Sequence, residues 1–339
     1  MRFFGHVDGV IDGEIYGWAY DVENPLDSLP LSVFVNQRQV AEVVAFYYRP
    51  DVAERMNCSG QHGFYFDLTA FVSRATNAII DVRFPDGTLL SGTPLRSHLP
   101  ARNGSSSSTL LFMHIPKTAG TALREAAVLN YRQSQVGYIY EHPPGLPLHA
   151  LPKLPPEQRA HLRFVVGHFG YGVHRYIPRE CRYFTVIRDP LSRVWSHYNH
   201  LIQEKNPAAV TPDGRIRTLE EMLAGKITIE LDNLTVRYLA GIDPSEVPVG
   251  AVDRHAYDLA VAHLEKAILC VGFPERLDQA YDFLRNRLGW TRPPSLDVMN
   301  PGSYPVKKRP SAEDEALMRR FNQWDISFYE YVCSRKSLS

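Results

Sequence analysis

The hydrophobic pattern changes period near residue 109, and that change organises the chain. Before it, apolar residues alternate with polar ones: Leu31, Val33 and Val35, then Phe64 and Phe66, then the stretch Ala78 to Phe84. A period of two marks half-buried strands, and Pro85-Asp86-Gly87 is a strong turn leading into Thr88-Leu89-Leu90. Short strands at this spacing predict a small β-sandwich over residues 1–95. Asp8, Asp12 and Asp21 read there as turn and cap residues rather than as a metal site.

After the change, the apolar positions come in short unbroken runs: Leu110 to Ile115, Arg163 to Gly167, Arg182 to Ile187 and Ile268 to Gly272. Runs of that length read as buried strands of an α/β sheet. Helices are expected between and beyond them. One covers Ala122 to Leu129. A second is opened by Asp189 at the N-cap and Pro190 at the first helical position. Others cover Leu219 to Leu223, Asn233 to Gly241 (with Gly241 closing it), His255 to Ala267 and Pro274 to Leu288. In the last of these, Leu277, Tyr281, Leu284 and Leu288 form a core stripe. Ser311 and Asp314 make a capping box for a final helix running to about Tyr331. The proline-rich stretch Tyr131 to Glu157 and the polar stretch Asn300 to Arg309 read as loops. Thr93 to Ser108, with its run of four serines, reads as a linker. The expected organisation is an all-β region over 1–95, a linker over 96–108 and an α/β region over 109–339.

Composition narrows the classes without choosing one. The 339 residues are 44% hydrophobic and 22% charged, ample for buried cores in a globular chain. Basic and acidic residues balance at 37 each, so no global field recruits nucleic acid, and any anion site must be local. Cys58, Cys181, Cys270 and Cys333 are far apart, form no C-x-x-C pair and suit inert buried thiols better than zinc or a disulfide framework. No apolar run reaches the ~20 residues of a membrane span, and the first residues lack the pattern of a signal peptide. A cytoplasmic protein is expected.

Candidate chemistry gathers at the ends of the apolar runs. Behind the first comes Pro116-Lys117-Thr118-Ala119-Gly120-Thr121-Ala122, a tight small-residue turn entering a helix. Strand, turn and helix aim free backbone N–H groups at an anion, with Lys117 adding charge and Thr118 and Thr121 adding hydroxyls. A structural turn with a solvated lysine would use the same residues. The Walker pattern G-x-x-x-x-G-K-[ST] is absent, which disfavours an ordinary ATPase or kinase. Behind the second run stands His168, at the rim of the sheet where ligands bind, although a lone histidine there is more often structural. Behind the third, Arg188 ends the strand, and Ser196 lies two turns into the next helix on a face shared with Arg193, His197 and His200. Arg188 and Ser196 have the placement to pinch a second phosphate; a solvated helix behind a salt-bridged arginine is the alternative.

Taken together, these segments resemble one family. His114-Ile-Pro-Lys-Thr-Ala-Gly-Thr121, Gly167-His168, Ile187-Arg-Asp-Pro-Leu-Ser-Arg-Val-Trp-Ser-His-Tyr198 and Val271-Gly-Phe-Pro-Glu-Arg-Leu277 are similar to segments of the sulfotransferases that use 3′-phosphoadenosine 5′-phosphosulfate (PAPS). The similarity is to the heparan sulfate 2-O-sulfotransferase-like branch and its bacterial relatives, and it spans residues 109 to 333. It implies a P-loop-NTPase-like parallel sheet with flanking helices. It also implies PAPS as donor, with Pro116 to Ala122 and Lys117 on the 5′-phosphosulfate and Arg188 and Ser196 on the 3′-phosphate. His168 becomes the general base, with Lys117 the catalytic cation and no metal required; His174, His197 and His200 compete for the base. The acceptor implied is a hydroxyl, first of all on a saccharide. The β-region resembles, more loosely, accessory domains beside bacterial carbohydrate-modifying enzymes, through Gly17 to Asp21, Arg49 to Val52 and Gly63-Phe64. Two other classes stay open: a nucleotide-phosphate kinase or NTPase on the same fold, and a non-catalytic carbohydrate-binding protein.

Overall fold

The structure, a computed structural model, describes residues 2–11, 13–56, 60–68, 71, 78–97, 108–140, 148–243, 246–291 and 309–335. Its amino-terminal elements are β1 (Phe3–Ile11), β2 (Glu14–Asp21), β3 (Leu29–Val35), β4 (Arg38–Ala45), β5 (Tyr47–Tyr48), α1 (Pro50–Met56), β6 (Gln61–Asp67), β7 (Ala78–Arg83) and β8 (Leu95–Ser97). They form two antiparallel sheets, ordered β1-β2-β6-β5 and β4-β3-β7-β8. The alternation read from the sequence sets the inner faces. Leu29, Leu31, Val33 and Val35 are buried along β3 while Pro30 is exposed, and Phe64 and Phe66 are buried on β6. Both sheets contribute to one apolar core, with Ile15, Ala19 and Phe64 from one and Leu31, Val33, Ile80 and Val82 from the other. Asn36 and Gln37 take φ of 50° and 68° in the β3–β4 hairpin, the left-handed pair that matches strand twist. Asp21 accepts from the Glu23 and Asn24 turn and pairs with Arg2, while Asp8 pairs with Arg49 at 2.6 Å. Both are structural partners, as expected; Asp12 lies outside the described residues. After the turn, Thr88 O accepts from Phe84 N, Leu90 N donates to Val82 O, and Leu89 bridges to Arg83.

From residue 109 the chain runs β9 (Thr109–Met113), α2 (Gly120–Val128), β10 (Val136–Ile139), α3 (Pro156–His161), β11 (Phe164–Gly167), β12 (Cys181–Val186) and α4 (Pro190–Gln203). Then follow α5 (Leu219–Ala224), α6 (Leu234–Ala240), α7 (Arg254–Ala267), β13 (Ile268–Gly272), α8 (Leu277–Leu288), α9 (Ala312–Phe321) and α10 (Gln323–Ser334). The sheet is five-stranded, ordered β10-β11-β9-β12-β13, with β10 parallel to β11 and β12 parallel to β13. Every residue of β9 is buried, as a central strand covered on both faces requires. This mixed α/β fold, with helices flanking the sheet, is consistent with the sulfotransferase fold.

The chain divides into two compact units. One holds Met1–Thr109, Tyr131–Gly167 and His174–Cys181; the other holds Leu110–Asn130, His168–Val173 and Arg182–Ser339. Within the first, the proline-rich stretch is more than loop. It contains β10, and it bonds to the sandwich together with α3: Val44 N donates to Gln158 Oε1 of α3 at 3.1 Å, Tyr47 Oη donates to Ser134 O at 3.3 Å, and Ser134 Oγ donates to Glu14. Most of the expected linker, residues 98–107, lies outside the described residues.

Within the second, the expected final helix is broken in two at Asn322, whose φ of −121° leaves the helical region. The reason is tertiary. Asn322 is buried, its Nδ2 donates to Leu231 O and its Oδ1 accepts from Asn233 N at 2.9 Å. Asn233 and Asp325 then cap each other's helices. Asn233 Oδ1 accepts from Trp324 N and Asp325 N at the start of α10, both at 3.0 Å, and Asp325 accepts from Thr235 N and Val236 N at the start of α6. Beside them Arg237 and Asp232 form a buried ion pair at 2.6 Å. Of the described cysteines only Cys270 is buried; Cys181 is half-buried, and Cys333 is exposed on α10, contrary to the reading of inert buried thiols. Among the described residues no group of His, Cys, Asp and Glu is placed to hold a metal ion, and no helix is long and apolar enough to cross a membrane.

Candidate active site

The turn after β9 is built to expose backbone. Lys117 and Ala119 both take left-handed φ, 69° and 63°, a conformation costing a residue with Cβ about 1–2 kcal/mol. Such strain persists where surroundings over-determine it, and it marks functional turns. Here Thr118, fully buried, donates its hydroxyl to Ile115 O at 2.8 Å and pins the turn from inside. That hydroxyl is therefore spent within the turn, and Thr118 can offer an anion only its N–H. Gly120 is needed for close packing: a Cβ there would stand 2.6 Å from the His114 ring. Ala119 at the N-cap gives α2 no side-chain cap, and the first turn holds no acidic residue. The N–H groups that open α2 therefore have no side-chain acceptor of their own.

The opening of α4 differs. Asp189 Oδ1 accepts from Ser192 N at 2.8 Å and Pro190 occupies the first helical position, as the sequence predicts. With that terminus already occupied, the anion-binding groups of this segment are side chains, Arg188 and Ser196, both half-buried. Arg188 Nη1 donates to Lys117 O at 3.2 Å. This bond draws the two candidate cradles, 71 residues apart in sequence, into one place.

His168 follows β11 on the same rim, its ring 5.3 Å from that of His114. His114 is buried against Phe112, and burial pushes its basicity down to about 3. The His168 side chain is reached by solvent yet sits in a recess. Burial, first of all, pushes it down to about 4, His197 and Arg124 act in the same direction, and Glu230 opposes them. His168 is thus a neutral imidazole at pH 7, able to accept a proton.

The competing histidines are placed otherwise. His174 lies on a 3₁₀ turn in the first unit. His197 is buried, and its Nε2 is committed to Glu230 Oε2 at 3.0 Å. Hydrogen bonding from His197 holds Glu230 below the usual carboxylate range, and an ionised carboxylate only accepts. The proton of that bond therefore belongs to Nε2. His200, half-buried on the same helix, is pushed down by burial and then by Lys117.

Glu230 and Arg193 were not singled out as site residues by the sequence. Glu230 sits on a 3₁₀ turn, Ile229–Leu231, capped by Thr228, and no local pattern links it to residue 197. Arg193 is fully buried on α4, and its guanidinium nitrogens have no hydrogen-bond partner among the described residues. Burial lowers its basicity; the charges of Asp325 and Glu230 oppose that, and Arg188 adds to it.

Residues 105–256 match the model of the sulfotransferase family. The matched span runs from the residues before β9 into α7 and includes Lys117, His168, Arg188, Ser196, His197 and Glu230. It supports a sulfotransferase, and hence a transferase, for this part of the chain. No curated protein matches the chain. One solved structure, the Family 28 exopolygalacturonase of Yersinia enterocolitica, is similar at 10% identity over 41% of this chain, with a TM-score of 0.16. The alignment spans only 27% of that enzyme's chain, and at such a score the likeness carries no argument.

Proposed function

We propose that this protein transfers a sulfuryl group from PAPS to an acceptor hydroxyl, with a saccharide hydroxyl as the acceptor. The observation that carries the reading is the bond from Arg188 to the Lys117 carbonyl, which sets an uncapped helix start and a second cationic segment side by side. A nucleotide carrying both a 5′-phosphosulfate and a 3′-phosphate needs two such anion sites.

The residues fit that donor. The N–H groups opening α2, with Lys117, would hold the 5′-phosphosulfate, and Arg188 and Ser196 the 3′-phosphate. The chemistry supplied by such a donor is an activated sulfuryl group carried on a phosphate leaving group. Lys117 places positive charge where negative charge grows on the leaving oxygen. His168 accepts the acceptor's hydroxyl proton on a ring nitrogen, and its neutral form at pH 7 is the one that can do so. His114 packs under the turn, against Gly120 and Phe112.

The reading is tested by calorimetry with adenosine 3′,5′-bisphosphate and 5′-AMP. Charge-assisted hydrogen bonds to the 3′-phosphate should make the bisphosphate bind about ten- to a hundred-fold tighter. R188A should erase most of that difference while leaving 5′-AMP nearly unaffected. Equal affinities in the unaltered protein overturn the assignment.

A further inference from the structure

The antiparallel sheet β1-β2-β6-β5 packs Val7, Ile15, Ala19 and Phe64 inward, and its other face would ordinarily be polar. Instead that face carries rings. Phe4 and Tyr20 are cross-strand partners with ring centroids 6.2 Å apart, and Trp18, two residues away on β2, stands 6.3 Å from Tyr20. One step further along, Tyr16 and Tyr65 are partners across β2 and β6, stacked at 6.2 Å. At the far end Ser134 closes the face through its bonds with Glu14 and Tyr47, which are buried. The other rings stay within reach of solvent: Phe4 is 43% exposed, and Tyr16, Trp18 and Tyr65 are half-buried.

A charged strap runs among these rings. Gly63 is the cross-strand partner of Trp18, and a Cβ there would stand 2.9 Å from Arg49 Cγ, so the Arg49 stem takes the place of a side chain opposite Trp18. Its guanidinium donates to Asp8 Oδ2 on β1 at 2.6 Å and, through Nε and Nη2, to the two oxygens of Asp51. Three of the five N–H groups of Arg49 are spent so, and the others can donate to a ligand. Asp8 is the bulged residue of β1, between the Val7–Gly17 and Gly9–Tyr16 pairs. Among the described residues its bond uses Oδ2 alone, and its side chain is 25% exposed, so Oδ1 is fixed in place and able to accept.

A pyranose ring offers C–H groups on its face, which meet the negative face of an aromatic ring, and hydroxyls around its edge, which bond to carboxylate and guanidinium. Flat rings flanking a fixed Asp–Arg pair answer both parts. Two carboxylates outnumber one guanidinium in the strap, which opposes a sulfated or uronic polymer. They also oppose a second copy of this chain, because a two-fold contact through this face would set like carboxylates together. We propose that this face binds a neutral saccharide chain, with Trp18 and Tyr16 as stacking platforms and Asp8 and Arg49 as partners of its hydroxyls. The site lies outside residues 105–256, the span that matches the sulfotransferase family. The inference rests on the proposed function only in taking the bound saccharide as the sulfuryl acceptor; the binding itself needs no donor and no transfer.

Affinity electrophoresis of the full-length chain through gels holding dextran, mannan, galactomannan or xyloglucan reads this binding directly, with heparin as the anionic comparison. At least one neutral polymer should retard the unaltered chain. W18A should weaken that binding about tenfold or more, through loss of a stacking platform. D8N keeps the shape and removes the charge; it should weaken binding about three- to tenfold and serves as the readout if W18A does not fold. Any retardation by heparin should be the same in W18A, and both variants should keep their affinity for adenosine 3′,5′-bisphosphate within about twofold. Retardation by none of the neutral polymers overturns the inference, as does equal retardation of the variants and the unaltered chain. A dimer seen by sedimentation and lost in W18A, with no polymer bound, assigns the face to a second copy and overturns it too. If the face binds a neutral saccharide but no saccharide accepts a sulfuryl group, the proposed acceptor fails while this site stands. If a saccharide is sulfated and W18A and D8N bind it as the unaltered chain does, the site fails while the proposed function stands.

Discussion

Lowering the pH from 7 to 5 should cost the second unit about 2 kcal/mol through His114 alone. Its side chain is 6% exposed, and burial holds its proton affinity down to about 3, against about 6.5 for an unfolded chain. A base depressed on folding costs nothing above the unfolded value, where both states are neutral. Below it the unfolded chain binds a proton that the folded chain refuses, so stability falls with each pH unit until the folded value near 3 is reached. The slope is about 1.4 kcal/mol per unit, or about 2 kcal/mol at pH 5. His197 is buried and shifted in the same direction, adding to the loss. His168 adds less, because solvent reaches its ring and screens the penalty. Glu230, held below 4.5, acts only at lower pH, whereas buried Asp325 is raised and opposes the histidines, so the His114 part is read from the H114Q comparison. The loss is a large share of a typical stability of about 5–15 kcal/mol. Urea unfolding followed by tryptophan fluorescence reads this unit well, since Trp195, Trp290 and Trp324 lie in it. H114Q should reduce the slope by one proton. An H114Q slope equal to the original would refute the reasoning.

The two catalytic roles should fail differently. H168A should leave bisphosphate affinity nearly unchanged while turnover drops about 10²–10⁴-fold, whereas K117A should weaken donor binding and turnover together; collapse in H197A with a near-normal H168A would move the base to α4. With His168 held near 4, kcat/KM should stay level from pH 7 down to about 5.5 rather than fall near 6.5, and an acid limb centred at 6.5 would contradict that assignment. N233A should destabilise the second unit by about 3–5 kcal/mol, since it strands the N–H groups of Trp324 and Asp325 and puts alanine at a φ of 46°; a loss under about 1 kcal/mol in urea unfolding would show that the reciprocal caps contribute little.

Much of this molecule is local, and local features are legible in a sequence. The strands β3, β6, β7, β9, β11, β12 and β13 follow from apolar period and length. Asp189 and Pro190 announce the start of α4, Ser311 and Asp314 that of α9, and Gly241 the end of α6, because a cap is decided within a few residues. The small-residue turn and the residues at the three strand ends were visible for the same reason. What the sequence could not specify depends on groups brought together from afar. Val136–Ile139 looked like loop because prolines surround it, and only pairing with β11 makes it a strand. The break at Asn322 is set by a side chain answering residues 231 and 233, not by any local helix breaker. Residues 131–167 pack with the sandwich through Gln158 and Ser134, a grouping no composition shift announces. At the site, the sequence offered His168 among four histidines. Tertiary structure separated them by burying His197 against Glu230, 33 residues away, and leaving His168 open to solvent. Proton affinity is a property of the surroundings, and the surroundings of His168 exist only once the chain is folded.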